Sequence, residues 1–452
     1  MNTRLEPPID QWPTPTADRP VWTGHQLSLF HPGIVAKYLA AEAKSKWACV
    51  GYHNVVVDQD VYNPLSLTLP HRDPRRPRGL FTKVFTLGPI AADVPIGMQP
   101  PVTPAVVETN LRNFPSDAGA AAQAVRQAFS GTEQAPSLAA QMDTVVRRLL
   151  PSFAAAEPAT FASAMLTDES ELIDQLLRDA PRCAKLYNAA VREFRGAGMK
   201  PMSVEPDRVE VPLWALRWMK PRQRVFVDLA DSTPIFITED GEPLPPEAPP
   251  PPEGDGVTLA PRALLMTALL RRPDRCGLFI HGTGGWSYDR ITEQWWQQWR
   301  GGTLAPMALV TADVTLDFGD VPVNTPADVE RAVWRAHHLP HNLDRELGLD
   351  HPSIREKREL LQHMHDDRDK RRRRAAFDRI HRINRELADE HGQALAEAQQ
   401  AVETARLGVA NARLARKRDW PFLLYPPSQL ETLRQQIAYP LREASGEPAS
   451  SA

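Results

Sequence analysis

The pattern of apolar and polar positions between residues 21 and 60 predicts two buried strands joined by a helix. Pro32 suits the first turn of that helix, because its missing N–H is no loss there. The apolar residues that then recur at helical spacing are Ile34, Val35, Tyr38 and Leu39. The second strand is the N-V-V-V run at residues 54–57. Polar side chains follow both strands at the end where an open α/β sheet binds its ligands.

The remaining pattern extends this unit into a Rossmann-like, doubly wound α/β core over residues 21–345. A helical, alanine-rich insertion covers about 116–200, and the proline-rich stretch 243–256 is a surface loop. The other predicted elements are strands at 208–216, 224–229 and 234–238, a helix at 257–270, a short buried strand at 276–280, an aromatic-rich helix after residue 288 and a strand at 308–311. The fold class is therefore α/β.

The two ends of the chain have different patterns from this core. Residues 1–20 are predicted to be an irregular N-terminal arm, and residues 419–452 a tail that packs on the core. Residues 346–418 are predicted to be a long α-helical coiled coil, because the stretch is densely charged, contains almost no proline and has a sparse apolar stripe. Gly392 leaves open whether this helix runs straight or folds into a hairpin.

Composition excludes several classes of partner. The chain of 452 residues has a net charge of −3, so it has no basic field for nucleic acid, and the arginine run at 371–374 lies among aspartates on a solvated face. No apolar stretch is long enough for a membrane span or a signal peptide. Three separated cysteines argue against disulfides and thiolate zinc sites, and no metal site is predicted. We expect a cytoplasmic protein.

Two polar loops are the candidate site. The first is T-G-H-Q at Thr23, Gly24, His25 and Gln26; the second lies within H-G-T-G-G-W-S-Y and contributes Gly282, Thr283, Gly284, Gly285 and Tyr288. A glycine-rich turn between a strand and a helix presents backbone N–H groups to an anion such as a nucleotide phosphate. An ordinary polar connection explains the first loop equally well, and a tight structural turn explains the second. Both alternatives stay open.

The candidate catalytic residues are Asp58, Asp60 and His25. The two aspartates follow the second strand and suit an ammonium group or a metal ion, while an imidazole with a pKa near neutrality suits a general base. The cofactor is unknown. ATP or ADP with magnesium is the candidate, because a nucleotide phosphate is an anion that the glycine-rich turn would hold.

Four short stretches follow one another in the order found in a known family. Residues 23–26, 32–33 and 37–38 are similar to the family's opening T-G-Q-Q loop, its G-P pair and the Y-K pair of the following helix, and residues 57–60 are similar to a family strand that ends in E-D-H-D. Residues 259–266 and 280–288 are similar to the family's L-S-P-N-V-L-L-R helix and the I-G-G-P-G-E-I-A-Y loop after it. Residues 424–426 and 430–431 are similar to its L-F-P and L-Q-E-R stretches. In these stretches the chain resembles the cysteine-adding ligase of bacillithiol biosynthesis.

This resemblance implies an enzyme that adds cysteine to glucosaminyl malate, an amino sugar conjugate, and that forms a homodimer through its coiled coil. The chain departs from the family pattern at Val57, Gln59, Met266 and Gly285, where the family has an acid, an imidazole, an arginine and a glutamate. Two functions are therefore open. One is a ligase that forms an amide bond; the other is a non-catalytic, dimeric relative that binds a nucleotide or a sugar.

Overall fold

The computed structural model describes residues 1–73, 76–115, 118–245, 256–319 and 321–445. The chain divides into two compact units. Unit 1 comprises Met1–Leu69, Val84–Thr315 and Arg418–Ala452, and unit 2 comprises Pro70–Lys83 and Leu316–Lys417. Most of the predicted proline-rich loop 243–256 lies outside the described residues.

The strands of the described residues are, in chain order, β1 (Asn2–Glu6), β2 (Val21–His25), β3 (Tyr52–Val56), β4 (Ser66–Asp73), β5 (Arg76–Thr86), β6 (Thr160–Phe161), β7 (Arg208–Leu216), β8 (Gln223–Asp228), β9 (Ile235–Thr238), β10 (Pro243–Leu244), β11 (Thr258–Pro261), β12 (Leu278–His281) and β13 (Met307–Asp313). The helices are α1 (Pro32–Trp47), α2 (Pro104–Leu111), α3 (Gly119–Phe129), α4 (Leu138–Leu149), α5 (Pro151–Ala154), α6 (Ser170–Glu193), α7 (Ala263–Leu270), α8 (Thr283–Arg300), α9 (Pro326–Glu346), α10 (Pro352–Asp366), α11 (Lys370–Glu390), α12 (Gly392–Ala415) and α13 (Pro427–Ser445). None of the helices in these ranges is both long and apolar enough to cross a bilayer.

The main sheet of unit 1 has the strand order β1-β13-β12-β2-β3-β6. All neighbours from β13 to β6 pair in parallel, and β1 pairs antiparallel with β13 at the edge. The irregular arm predicted for residues 1–20 is therefore wrong for Asn2–Glu6. Five residues carry too little periodicity to mark an edge strand, and β13 supplies the hydrogen-bond partners that define it.

The helix α1 is buried on nearly every side. His31 caps its start, because the Nδ1 atom accepts the N–H of Gly33. Tyr38, Leu39 and Ala40 are buried, and so are the cationic side chains of Lys37 and Lys44. On its outer side α1 packs against α13, and Arg434 of α13 lies 3.3 Å from Glu42 of α1. The C-terminal residues 427–445 thus cover the helix that follows β2.

A second sheet and a tryptophan-rich core complete unit 1. The order of this sheet is β10-β9-β8-β7-β11, with antiparallel pairing throughout, and α6, α7 and α8 pack against it around Trp295 and Trp299. The predicted helix 257–270 is wrong at its start, since Thr258–Pro261 is the strand β11. Likewise, the helical insertion about 116–200 contains β6, a strand too short to be read from periodicity.

Unit 2 is formed mainly by α9, α10, α11 and α12. Residues 346–418 are not one continuous helix, because the chain breaks after Asp366 and again at His391. Asp369 caps the start of α11 by accepting the N–H of Arg371. α9 packs on α11 and α12 around a core that includes Leu343 and Ile383. The apolar stripe is thus buried, at least in part, against helices of the same chain.

Candidate functional site

A cavity of about 410 Å³ lies in unit 1 at the carboxyl ends of β2 and β12. From β2 the chain passes through α1 to β3, which lies next to β2 on the side away from β12. From β12 it passes through α8 to β13, which lies next to β12 on the side away from β2. Neighbouring strands whose connections leave in opposite directions open a crevice at their carboxyl ends. The starts of α1 and α8 both line this crevice.

Most of the residues predicted for the site line this cavity. They are Gly24, His25, Gln26, Asp60, Gly282, Thr283, Gly284, Gly285 and Tyr288. Thr23 and Asp58 are not among the lining residues. Thr23 is fully buried in the sheet, and its hydroxyl donates to the carbonyl of Ile280 at 2.9 Å, so its role is to join β2 to β12.

Asp58 is a structural residue in this geometry. Its Oδ1 accepts the N–H of Ser163 at 2.8 Å, and its Oδ2 accepts the Ser163 hydroxyl at 2.5 Å. Burial raises the pKa of Asp58 to about 6, although the bonds from Ser163 oppose that rise. The catalytic role predicted for Asp58 therefore has no support in its position, which ties the end of β3 to the segment after β6.

We expect Asp58→Asn to leave anion binding unchanged and to raise the free energy of unfolding at pH 7. In the folded chain the pKa of Asp58 lies above its ordinary 3.8, so the folded state binds more protons between pH 3.8 and 6 and loses stability as the pH rises through that range. Asparagine does not titrate, so the variant avoids this loss in the free energy of unfolding, which amounts to up to about 3 kcal/mol in the native chain. Urea unfolding at pH 4 and 7 measures it. A tenfold loss of pyrophosphate affinity in this variant would place Asp58 in the site after all.

Asp60 lies at the margin of the cavity with its charge already paired. Its Oδ2 accepts from Gln26 Nε2 at 2.5 Å, and its Oδ1 accepts from Arg222 Nη1 at 2.7 Å. Gln26 and Asp60 therefore link the polar segments that follow β2 and β3. The carboxylate is held in place by an amide and a guanidinium, which leaves little of its charge for a substrate cation.

The histidine predicted to act as a base does not have a pKa near neutrality. Burial and the nearby Lys37 lower the pKa of His25 to about 3. Its Nδ1 lies 2.8 Å from the carbonyl of Gln26, so this nitrogen carries the proton and Nε2 is left as an acceptor. His25 is consequently a neutral hydrogen-bond acceptor at physiological pH, and the pKa near neutrality that the sequence suggests for it is not what its burial gives.

Lys37 is the residue that the sequence analysis missed. Its Nζ donates to the carbonyl of Gly24 at 2.6 Å, the side chain is 1% exposed, and it lines the cavity. In the part of the chain that the structure describes, no carboxylate forms an ion pair with it. Burial lowers the pKa of Lys37 to about 7. One signal was present, since Lys37 lies one turn after Gly33 and Ile34 on a helix that starts at the predicted crevice.

His281 and Gly285 fit together at the start of α8. The Nδ1 of His281 accepts the N–H of Gly282 at 2.9 Å, and its Nε2 lies 3.8 Å from Oδ2 of the fully buried Asp289. A Cβ atom on Gly285 would lie 1.4 Å from the His281 ring. Burial lowers the pKa of His281 and raises that of Asp289 to about 7. The imidazole thus occupies the space that a side chain at position 285 would need.

The electrostatics of the cavity favour an anion. The N–H of Gly282 is engaged by His281, so it is not free for the predicted phosphate contact. The N–H groups of Thr283, Gly284 and Gly285 have no partner within their own helix. The positive end of the α8 dipole adds to this field. Within the described ranges no group of three acidic, histidine or cysteine side chains is placed to hold a metal ion.

No protein family matches the chain, and no curated protein matches it either. The geometry and chemistry of the cavity are the basis for the function proposed below.

Proposed function

We propose that unit 1 is an enzyme core that binds a phosphate-bearing ligand in this cavity and forms a carbon–nitrogen bond there. One observation carries the proposal: Lys37 places a buried amine without an acidic partner in a cavity that the free N–H groups of α8 also line. A phosphate would supply the missing counter-charge to both groups. Burying an amine without such a partner is costly, which favours an anionic ligand as the reason for its presence.

The strand order supports a Rossmann-like core. Numbered along the chain, the five parallel strands β2, β3, β6, β12 and β13 lie in the order 3-2-1-4-5, read from β6 to β13. The same order is found in the first five strands of the doubly wound dinucleotide-binding sheet, 3-2-1-4-5-6, whose ligand lies where the connections diverge. The cavity lies at that point, between β2 and β12.

Lys37 is also the best candidate for proton transfer in amide formation. A lysine with a pKa of about 7 is neutral in a large fraction of molecules at physiological pH, so its Nζ can accept a proton from an attacking ammonium group when no phosphate is paired with it. The Nε2 atom of His25 is placed to accept a hydrogen bond and orient that amine. ATP with magnesium would supply the activation of the carboxylate; the Lys37 amine and the first N–H groups of α8 are the groups that would hold its phosphates.

One departure from the ligase family pattern has a neighbour that accounts for it. Gly285 stands where the family has a glutamate, and the His281 ring fills the volume that a side chain at position 285 would need. We propose that His281 takes over part of the environment that the glutamate provides in the family, in a divergent member of the cysteine-adding ligases.

A non-catalytic binding protein is the second candidate, and the positions of the two aspartates favour it. Asp58 is bonded to Ser163, and Asp60 is neutralised by Arg222, so neither is free to bind the substrate amine.

The homodimer is part of both proposals. Trp334 and Phe377 are 61% and 50% exposed on the helices of unit 2, where a second subunit would cover them.

Mass spectrometry of a reaction mixture tests the proposal. The purified protein is incubated with ATP, magnesium, cysteine and glucosaminyl malate, with the Lys37→Met variant in parallel. We expect the cysteinyl amide from the native protein and none from the variant. A ligand that binds tightly and is recovered unchanged would establish the binding function instead, and the absence of both product and phosphate binding would refute the proposal.

A further inference from the structure

Another cavity in unit 1, of about 390 Å³, lies against one side of α8. The residues of α8 that line it recur every three or four positions, which places them on one face of the helix: Trp286, Arg290, Glu293 and Gln297. Among the described residues, none lines both this cavity and the one at the carboxyl ends of β2 and β12. We call it the Trp286 cavity.

A buried guanidinium group forms part of its wall. Arg271 is 1% exposed, and its Nε and Nη2 atoms donate to the carbonyl of Ala305 at 2.9 Å and 2.7 Å. Nη2 also donates to Glu293 Oε1 at 2.5 Å. These bonds fix the plane of the guanidinium, but its Nη1 has no partner among the described residues. A buried donor without an acceptor costs about 1–3 kcal/mol, so a ligand that brings an acceptor here is favoured.

The ionisable side chains of this wall leave one positive charge without a partner. Arg271 is paired with Glu293, whereas no carboxylate pairs with Arg290 in the part of the chain that the structure describes. One further negative charge therefore balances the cavity. A ligand with two negative charges, such as a phosphate ester, would leave an excess beside the carboxylate of Glu293.

The rest of the wall suits a flat, apolar group. The indole ring of Trp286 is half-buried, and Leu304 and Met307 line the cavity as well. An aromatic ring packed on an indole gains about 0.5–1.5 kcal/mol beyond the effect of burial. The volume of about 390 Å³ is that of a small-molecule site.

We propose that the Trp286 cavity binds an aromatic monocarboxylate. The carboxylate accepts from Arg290 and from Nη1 of Arg271, and the ring packs on Trp286. The inference does not rest on the proposed function, because the groups that would hold this ligand are different from those that would hold a phosphate.

Ligand-observed NMR titration with benzoate, benzamide and acetate tests this assignment. Benzamide keeps the ring without the charge, and acetate keeps the charge without the ring. We expect benzoate to bind about fivefold more tightly than either, or better. Arg290→Gln is expected to weaken benzoate binding about tenfold. Arg300→Gln is the matched control, because it removes the same charge from α8 outside the cavity, and it leaves the affinity unchanged.

Two further variants locate the ligand. Trp286→Leu is expected to remove the advantage of benzoate over acetate, since the ring then has no indole to pack on. Lys37→Met is expected to keep full benzoate affinity, and a loss there would place benzoate in the phosphate-binding cavity and overturn the assignment. Equal binding of benzoate and benzamide, or full benzoate affinity in Arg290→Gln, would overturn it as well. Arg290 is exposed, so its replacement leaves the folded core intact.

Discussion

Replacing Lys37 with methionine is expected to weaken pyrophosphate binding by about 30- to 150-fold. This corresponds to about 2–3 kcal/mol, the usual loss when a hydrogen bond to a charged group is removed from a buried site. Isothermal titration calorimetry at fixed ionic strength measures the change. Lys44→Met is the matched control, because Lys44 is also buried on α1 and also donates to a carbonyl, that of Trp12 at 3.0 Å, but does not line the cavity. Equal losses in the two variants would contradict the assignment.

The same substitution is expected to change how stability depends on pH. Folding lowers the pKa of Lys37 from 10.5 to about 7, so between these values the unfolded chain holds a proton that the folded chain lacks. The free energy of unfolding therefore rises with pH above 7, and Lys37→Met removes that rise, by a few kcal/mol between pH 7 and 9. Pyrophosphate binding at pH 8 is expected to take up a proton, since the anion restores the charged amine.

Introducing a side chain at Gly285 is expected to be the most damaging small change in the site. Alanine would place its Cβ 1.4 Å from the His281 ring, which must move towards the buried Asp289 or displace the start of α8. We expect a loss of about 3 kcal/mol in the free energy of unfolding, together with a loss of pyrophosphate binding. Thermal and urea unfolding measure the first effect, and calorimetry measures the second.

A double variant and a neighbouring glycine make this test specific. Adding His281→Ala to Gly285→Ala removes the clash, so most of the lost stability is expected to return. A Cβ on Gly284 meets nothing within 4 Å, and alanine is the better helix former, so Gly284→Ala should gain about 1 kcal/mol. If Gly285→Ala is as stable as Gly284→Ala, the placement of His281 beneath α8 is incorrect.

The sequence predicted the local elements that border the site because their signals are local. The buried N-V-V-V run marks β3, Pro32 marks the start of α1, and alternation marks β7 with its observed bounds, Arg208–Leu216. Polar side chains were predicted to follow β2 and β3 at one edge of the sheet, and there Gln26 donates to Asp60. Very short strands such as β6 give no such signal and were missed.

The roles of individual side chains were decided by the tertiary structure, because they depend on burial and on partners distant in sequence. Asp58 follows β3 as predicted, but Ser163, more than 100 residues away, takes its carboxylate. His25 is in the cavity, but its burial and the proximity of Lys37 remove its basicity. Only packing shows that Lys37 lacks an acidic partner, since a lysine in a helix is ordinarily a surface residue.

The chain by itself thus determined the α/β class and the polar strand ends, because each follows from periodicity or backbone preference within a few residues. The predicted glycine-rich turn is instead the start of α8, which begins at Thr283 and not after residue 288. The tertiary structure decided the strand order, the folding of residues 346–418 into several helices, and the chemistry of the cavity. These depend on which distant residues share a low-dielectric environment, and burial there lowers the pKa of both Lys37 and His25.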